Sequence, residues 1–184
     1  MIILASNSPR RKELLNLGGI DFIVKSSDVD ETLPDGMTEP CEVVKYLSKI
    51  KAKAVYDGEN IVIGADTVVA VDGEILGKPQ DAEDAKRMLK MLSGKVHSVF
   101  TGVTIISPKC ANSFYSETKV EFYSLTDEEI EEYIASREPM DKAGAYGIQG
   151  KGSLLIKGIV GDYFNVVGLP LAQTVRELRN MHCC

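Results

Sequence analysis

No run of apolar residues in this chain approaches the ~18 needed to cross a bilayer as a helix. A surplus of positive charge is also missing. Lys and Arg number 21 against 27 Asp and Glu, for a formal net charge of −6. The molecule as a whole is therefore not built to hold DNA or RNA, and any anion it binds must be met by a local cluster. Cysteine is scarce and spaced wrongly for metal. Cys41, Cys110, Cys183 and Cys184 contain no C-x-x-C, which argues against a zinc site and a disulfide framework. His97 and His182 are the two histidines, and neither stands near a plausible nucleophile, so no Ser-His-Asp set is present. The phosphate-cradling G-x-x-x-x-G-K-[ST] loop and the G-x-G-x-x-G fingerprint are both absent. The chain opens directly on a short strand, without the charged and apolar regions of a signal peptide. These absences lead to the expectation of a soluble, cytoplasmic protein without membrane or nucleic-acid partners.

What is present is enough for one domain over residues 1–184. The chain is 44% hydrophobic and 26% charged, which allows a substantial core and two lobes around a cleft. Strand and helix patterns alternate, so the expected class is α/β with a mixed sheet. "MIIL" and "DFIVKSS" read as strands, and "NIVIGADTVVAV" as the most apolar strand, with Asp72-Gly73 a hairpin turn after it. Thr38 is expected to cap a helix from Glu39 to Tyr56 with Val43, Val44, Leu47, Ile50 and Ala54 on its apolar side. Asp81 caps the next helix, and Thr126 with Glu129 forms a capping box. Two long β segments, "HSVFTGVTIIS" and "SFYSETKVEFYSL", are expected to pair antiparallel. The glycine-rich stretch "DKAGAYGIQGKGS" reads as a loop, and "LPLAQTVRELRN" as a last amphipathic helix.

Four stretches break local rules, and such breaks tend to mark functional sites. In "ASNSPRRKELLNLGG", Ser8 and Pro9 fit a helix start, Leu14, Leu15 and Leu17 an apolar face, and Gly18-Gly19 a stop. Arg10 and Arg11 then occupy the first turn, where the helix dipole is already positive and acids are favoured. They either pair with carboxylates such as Glu13 or hold an anion, and the Ser-Asn-Ser turn beside them favours a phosphate. Asp66 breaks an apolar strand, and it either ends the strand and caps a turn or needs a partner, a lysine or a metal. Lys49, Lys51 and Lys53 mostly complement a helix C-terminus, whereas Lys78 is framed by Gly77 and Pro79. Asp28, Asp30 and Glu31 crowd one loop, either as solvated acids or as ligands of a hard cation. These residue types point to metal-assisted phosphoryl or nucleotidyl chemistry without naming a substrate.

Six segments, "LASNSPRRKELL", "IVIGADTVV", "GEILGKPQD", "LSGKVHSVFTGV", "EPMDKAGAYGIQG" and "GDYFNVVGLP", resemble those of the Maf family of septum-formation-inhibitor-like nucleoside triphosphate pyrophosphatases. They stand in family order over nearly the whole chain. The resemblance implies an elongated mixed sheet like that of inosine triphosphate pyrophosphatases. It implies hydrolysis of a nucleoside triphosphate to monophosphate and pyrophosphate with a divalent cation (Mg, Mn or Co). Asp66 then matches the proton acceptor, and Glu31, Lys51 and Lys78 the acid and two lysines around triphosphate and metal, with the metal on Glu31 and Asp66. Ser8 and Arg11 match the phosphate-binding turn. "SPRR", "GADT" and "YGIQG" place the chain on the family's dTTP/UTP branch, with Arg10, Thr67 and Gln149 as specificity positions. Uracil and thymine each present two carbonyl acceptors flanking an N–H, which Arg, Thr and Gln can read. Family members often form homodimers, and no stretch here marks an interface.

The rival reading is a nucleotide-sensing or septum-inhibiting binding protein without required turnover. A pure sensor has no need of a water-activating carboxylate, and this chain carries Asp66, Glu31 and both lysines. The enzyme is the expected reading.

Overall fold

The computed structural model describes residues 1–181. His182, Cys183 and Cys184, for which no role was expected, lie outside the described residues. Strand β1 (Ile2–Leu4) pairs in parallel with β2 (Ile23–Val24) and with β3 (Ile61–Val71). Flanked on both sides, Ile3 and Leu4 are fully buried, which is why the strand is apolar throughout rather than alternating. Of the "DFIVKSS" segment only Ile23 and Val24 are strand, shorter than expected and half-exposed at the sheet edge.

The seven-stranded sheet runs β2-β1-β3-β5-β6-β7, with β4 (Glu74–Leu76) paired antiparallel to β3 through the Asp72-Gly73 turn. Strands β5 (Val96–Ile106) and β6 (Ala111–Phe122) are neighbours joined by residues 107–110. That link is too short for a parallel crossover, so the pair is antiparallel. Strand β7 (Ile156–Val160) is antiparallel to β6. The sheet is mixed, as expected.

Helix α1 (Pro9–Leu17) begins with Pro at its first position and Ser8 at its N-cap. It buries Leu14 and Leu15, but Leu17 is 66% exposed and does not join the apolar face. Helix α2 (Pro40–Val55) starts after Glu39, not Thr38, because Pro40 at the first helical position sets the boundary. Its buried stripe is Val43, Val44, Leu47, Ser48 and Ala52, so Ala52 takes the place expected of Ala54. Helix α3 (Ala82–Leu92) is capped by Asp81, which accepts from Asp84 N at 2.8 Å. Helix α4 (Asp127–Ala135) carries the full Thr126–Glu129 capping box. The glycine-rich stretch is not plain loop. It winds through short 3-10 turns at Glu138–Asp141, Ala143–Ala145 and Gly150–Leu155. Helices α5 (Tyr163–Val167) and α6 (Leu171–Met181) complete the described chain.

The chain divides into two compact units. The first holds Met1–Asp66, Thr101–Ser116 and residues 168–181; Ile3, Ala5, Ala52, Val62 and Ile106 form a core cluster within it. The second holds Thr67–Phe100 and Glu117–Val167, with a larger core in which Ala85, Met88, Leu89 and Leu92 supply the inner stripe of α3. Among the described residues, no helix is long and apolar enough to cross a membrane.

Candidate active site

In the first unit the serine turn and the start of α1 are tied together by side chains. Ser6 Oγ accepts from Ser8 N at 3.2 Å, and Ser8 Oγ accepts from Arg11 N at 3.5 Å. Arg11 then folds back across this turn. Its Nε donates to the Gly168 carbonyl at 2.8 Å and its Nη1 to Ser6 Oγ at 3.2 Å. A carbonyl acceptor offsets the cost of a cation at the positive end of a helix. Burial pushes the Arg11 guanidinium below its ordinary range, with Arg10 adding to the effect while the Asp66 and Glu31 carboxylates oppose it. Ser6 belongs to the Ser-Asn-Ser turn already read as favouring a phosphate, whereas Gly168 is a member of this arrangement that the sequence reading did not single out.

Asp66 is 8% exposed, near the middle of β3, and its partner is Lys51. Lys51 Nζ lies 2.5 Å from Asp66 Oδ1 and 3.0 Å from Glu31 Oε1. One ammonium thus bridges two carboxylates, which answers the desolvation cost of a carboxylate in an apolar strand. The bridge depends on how closely α2 lies on the sheet. A Cβ at Gly64 would strike the Ser48 carbonyl and come within 2.7 Å of Ala52 N; one at Gly102 would strike the Val44 carbonyl. With two glycines beneath it, the backbone of α2 rests directly on β3 and β5. Ser48 and Thr104 are joined there by a buried 2.9 Å hydroxyl hydrogen bond. That contact sets the height at which Lys51 meets Asp66.

The other expected acids do not assemble. Asp30 turns back on its own loop, where Oδ1 accepts from Thr32 N at 2.9 Å and from Thr32 Oγ1 at 2.6 Å. These bonds hold its carboxyl below the usual range. Asp28 is exposed, as are Lys49 and Lys53. Among the described residues no three His, Cys, Asp or Glu side chains gather as a metal-binding group. Of the acids of that loop, Glu31 is the one that meets Asp66, through their shared Lys51.

Thr67, Lys78 and Gln149 belong to the second unit. Lys78 and Gln149 are exposed and Thr67 is half-buried. The turn before Lys78 is anchored, because Gly144 N donates to the Gly77 carbonyl at 2.9 Å and Pro79 is buried. This bond ties "LGKP" to "AGAYG", two motifs far apart in the chain. Tyr146 of the second motif is hydrogen-bonded to buried His97 at 2.7 Å, and both pack edge-on against Phe122.

A family model described as Maf-like protein matches residues 1–181. A dTTP/UTP pyrophosphatase of Bacillus cytotoxicus is 54% identical over 179 residues, covering 96% of this chain and 93% of that one. A dTTP/UTP pyrophosphatase of Bacillus cereus (strain B4264) is 52% identical over 180 residues, covering 97% and 94%. Among solved structures, a HAM1 protein from Coxiella burnetii is 14% identical with a TM-score of 0.49, covering 97% of this chain and 98% of that one.

Proposed function

This chain belongs to the Maf family, and from that premise we propose that it is a pyrophosphatase of nucleoside triphosphates acting on dTTP and UTP. The products are the nucleoside monophosphate and pyrophosphate. The names of the relatives support the substrate. The observation that carries the chemistry is the Lys51 ammonium bridging Asp66 and Glu31.

In this reading water attacks the α-phosphorus in line. A new P–O bond forms, the α–β bridging P–O bond breaks, and pyrophosphate leaves with its electron pair. Asp66 takes the proton of the attacking water. Ser8 and Arg11 meet phosphate oxygens at the start of α1, where the dipole adds to the pull. Lys51, Lys78 and Arg11 stabilise negative charge on the leaving pyrophosphate, each such group supplying ~3 kcal/mol where charge develops. Arg10, Thr67 and Gln149 read the carbonyls and the N–H of the pyrimidine.

Asp66 and Glu31, brought together on Lys51, are the carboxylates that would hold a divalent cation. Two carboxylates are the protein share that magnesium takes when phosphate oxygens and waters complete its shell. Bound there, the cation would supply neutralisation of phosphate charge and a more acidic water. The whole chain, residues 1–184, is proposed to act as one catalytic domain, cytoplasmic and homodimeric.

The test is a product assay with purified protein, magnesium and a panel of triphosphates including 7-methyl-GTP, reading phosphate and pyrophosphate separately. Pyrophosphate released mainly from dTTP and UTP is expected. Release mainly from 7-methyl-GTP would keep the reaction and remove the roles given to Arg10, Thr67 and Gln149. No turnover of any nucleotide by folded, metal-supplied protein would leave the sensor as the better reading.

A further inference from the structure

The second unit contains a polar knot that the reaction does not use. It lies around Glu138, at the first turn of Glu138–Asp141. Glu138 Oε1 accepts from Tyr133 Oη at 3.1 Å and from Gly152 N at 3.1 Å, while Oε2 accepts from Lys151 N at 3.0 Å. Tyr133 Oη itself accepts from Gly147 N at 3.1 Å. Lys142 Nζ reaches back to the Glu138 carbonyl at 2.5 Å and pins the same turn.

Together one carboxylate and one phenol hold the backbone N–H groups of residues 147, 151 and 152. Gln149 stands between them. It is exposed, and its side chain makes no capping bond to the turn that follows it. The grip is therefore on the main chain to either side of Gln149 and leaves its amide end for a ligand. Tyr133 is buried on α4, and burial drives its hydroxyl far above the ordinary range, so it stays a phenol that donates to Glu138. A carboxylate suits the post because both its oxygens only accept, and three donors converge on it.

We propose that Glu138, acting with Tyr133, is a positioning residue that fixes the Gln149 loop and so sets discrimination among nucleotide bases. The proposal rests on the reading of Gln149 given above. It adds a device for base selectivity that acts through the main chain beside Gln149.

The test compares wild type, Glu138→Gln, Gln149→Ala and the double variant. Gln at 138 keeps one acceptor but turns an NH2 toward backbone donors. The expected result is a fall of tenfold or more in kcat/KM for dTTP and UTP, with little change for dCTP. Selectivity then moves toward that of Gln149→Ala. The double variant should be within twofold of Gln149→Ala alone, since the two changes remove one function. Inhibition by inorganic tripolyphosphate, which has no base, should stay within twofold of wild type. Amide exchange at residues 147, 151 and 152 should quicken. Tyr133→Phe, which keeps the ring and removes only the hydroxyl, gives a second and milder variant with the same expected pattern.

Equal loss on all three nucleotides together with weaker tripolyphosphate inhibition would overturn the proposal and leave Glu138 a structural group. So would an active wild type whose selectivity both variants leave unchanged. A wild type that releases no pyrophosphate from dTTP or UTP overturns the function itself, and this inference with it. The two failures are thus told apart by the wild-type lane.

Discussion

Lys51 Nζ stands 2.5 Å from Asp66 Oδ1 and 3.0 Å from Glu31 Oε1, and the two carboxylates differ sharply in exposure. The Asp66 side chain is 12% exposed and that of Glu31 54%. Removing the lysine therefore strands one buried carboxylate, while removing the aspartate's charge leaves the lysine a partner at the surface. Lys51→Met is expected to cost about 3 kcal/mol of stability, the scale of an uncompensated buried charge. Asp66→Asn should change stability by less than about 1 kcal/mol, because Asn is nearly isosteric and Lys51 keeps Glu31. The same Asp66→Asn change should cut turnover about 100-fold or more if Asp66 takes the water's proton. Urea titrations beside dTTP kinetics check both halves. A stable Lys51→Met protein, or an Asp66→Asn protein with near-wild-type turnover, would contradict this account.

The glycines under α2 make a prediction about folding and turnover at once. Adding a methyl at Gly64 or Gly102 drives α2 off the sheet, because the atoms in the way are backbone carbonyls rather than side-chain ends. Overpacking of this kind costs about 1–3 kcal/mol. Gly64→Ala should also slow turnover beyond its effect on stability, since Gly64 lies two residues before Asp66 and α2 carries Lys51. Gly73→Ala, at a hairpin turn with open space around it, is the comparison. Its φ of 82° predicts strain there without loss of activity.

His97 gives a pH dependence with a definite sign. The ring is buried against Phe122 and Tyr146, its Nδ1 has no hydrogen-bond partner, and burial lowers its pKa from 6.5 to about 4. The folded state therefore binds the proton more weakly than the unfolded chain does. The stabilisation is fully present above pH 6.5 and is lost as pH falls toward 4. The amount at stake is about 3 kcal/mol. His97→Phe should flatten the stability profile between these limits. A profile as steep as that of the wild type would remove His97 as the cause.

Much of this arrangement was legible in the residues, and the parts that were not share a cause. The Ser8-Pro9 start, the Asp81 and Thr126 caps and the Asp72-Gly73 hairpin are written in local chemistry and stand where local chemistry puts them. The need of Asp66 for a partner was also readable, since a charge in an apolar strand is costly wherever it sits. Which partner it has was not, because Lys51 reaches it only through the close approach of α2 to β3, a tertiary fact. The same holds for the bonds from Arg11 to Gly168, separated by 157 residues, and from Gly144 to Gly77. At Asp28, Asp30 and Glu31 composition left two readings open, and spacing alone does not tell that Asp30 turns its carboxylate to Thr32 while Glu31 meets Lys51. Ala54 and Leu17 fit helical spacing on paper, yet the helices are rotated to bury Ala52 and to leave Leu17 in solvent.

Arg11 supplies the last prediction. Its Nε is committed to the Gly168 carbonyl and Nη1 to Ser6, so the guanidinium is held in one orientation by the protein. A lysine keeps the charge but lacks the planar fork that reaches the two acceptors from separate nitrogens, Nε and Nη1. If the fixed orientation matters, Arg11→Lys should raise KM for dTTP about tenfold or more. Ser6→Ala, which removes only the hydroxyl acceptor, should shift KM in the same direction by a smaller factor. If charge alone matters, Arg11→Lys should behave as wild type while Arg11→Met fails. Steady-state kinetics on the three variants separate the two cases, and the geometry at Gly168 and Ser6 favours the first.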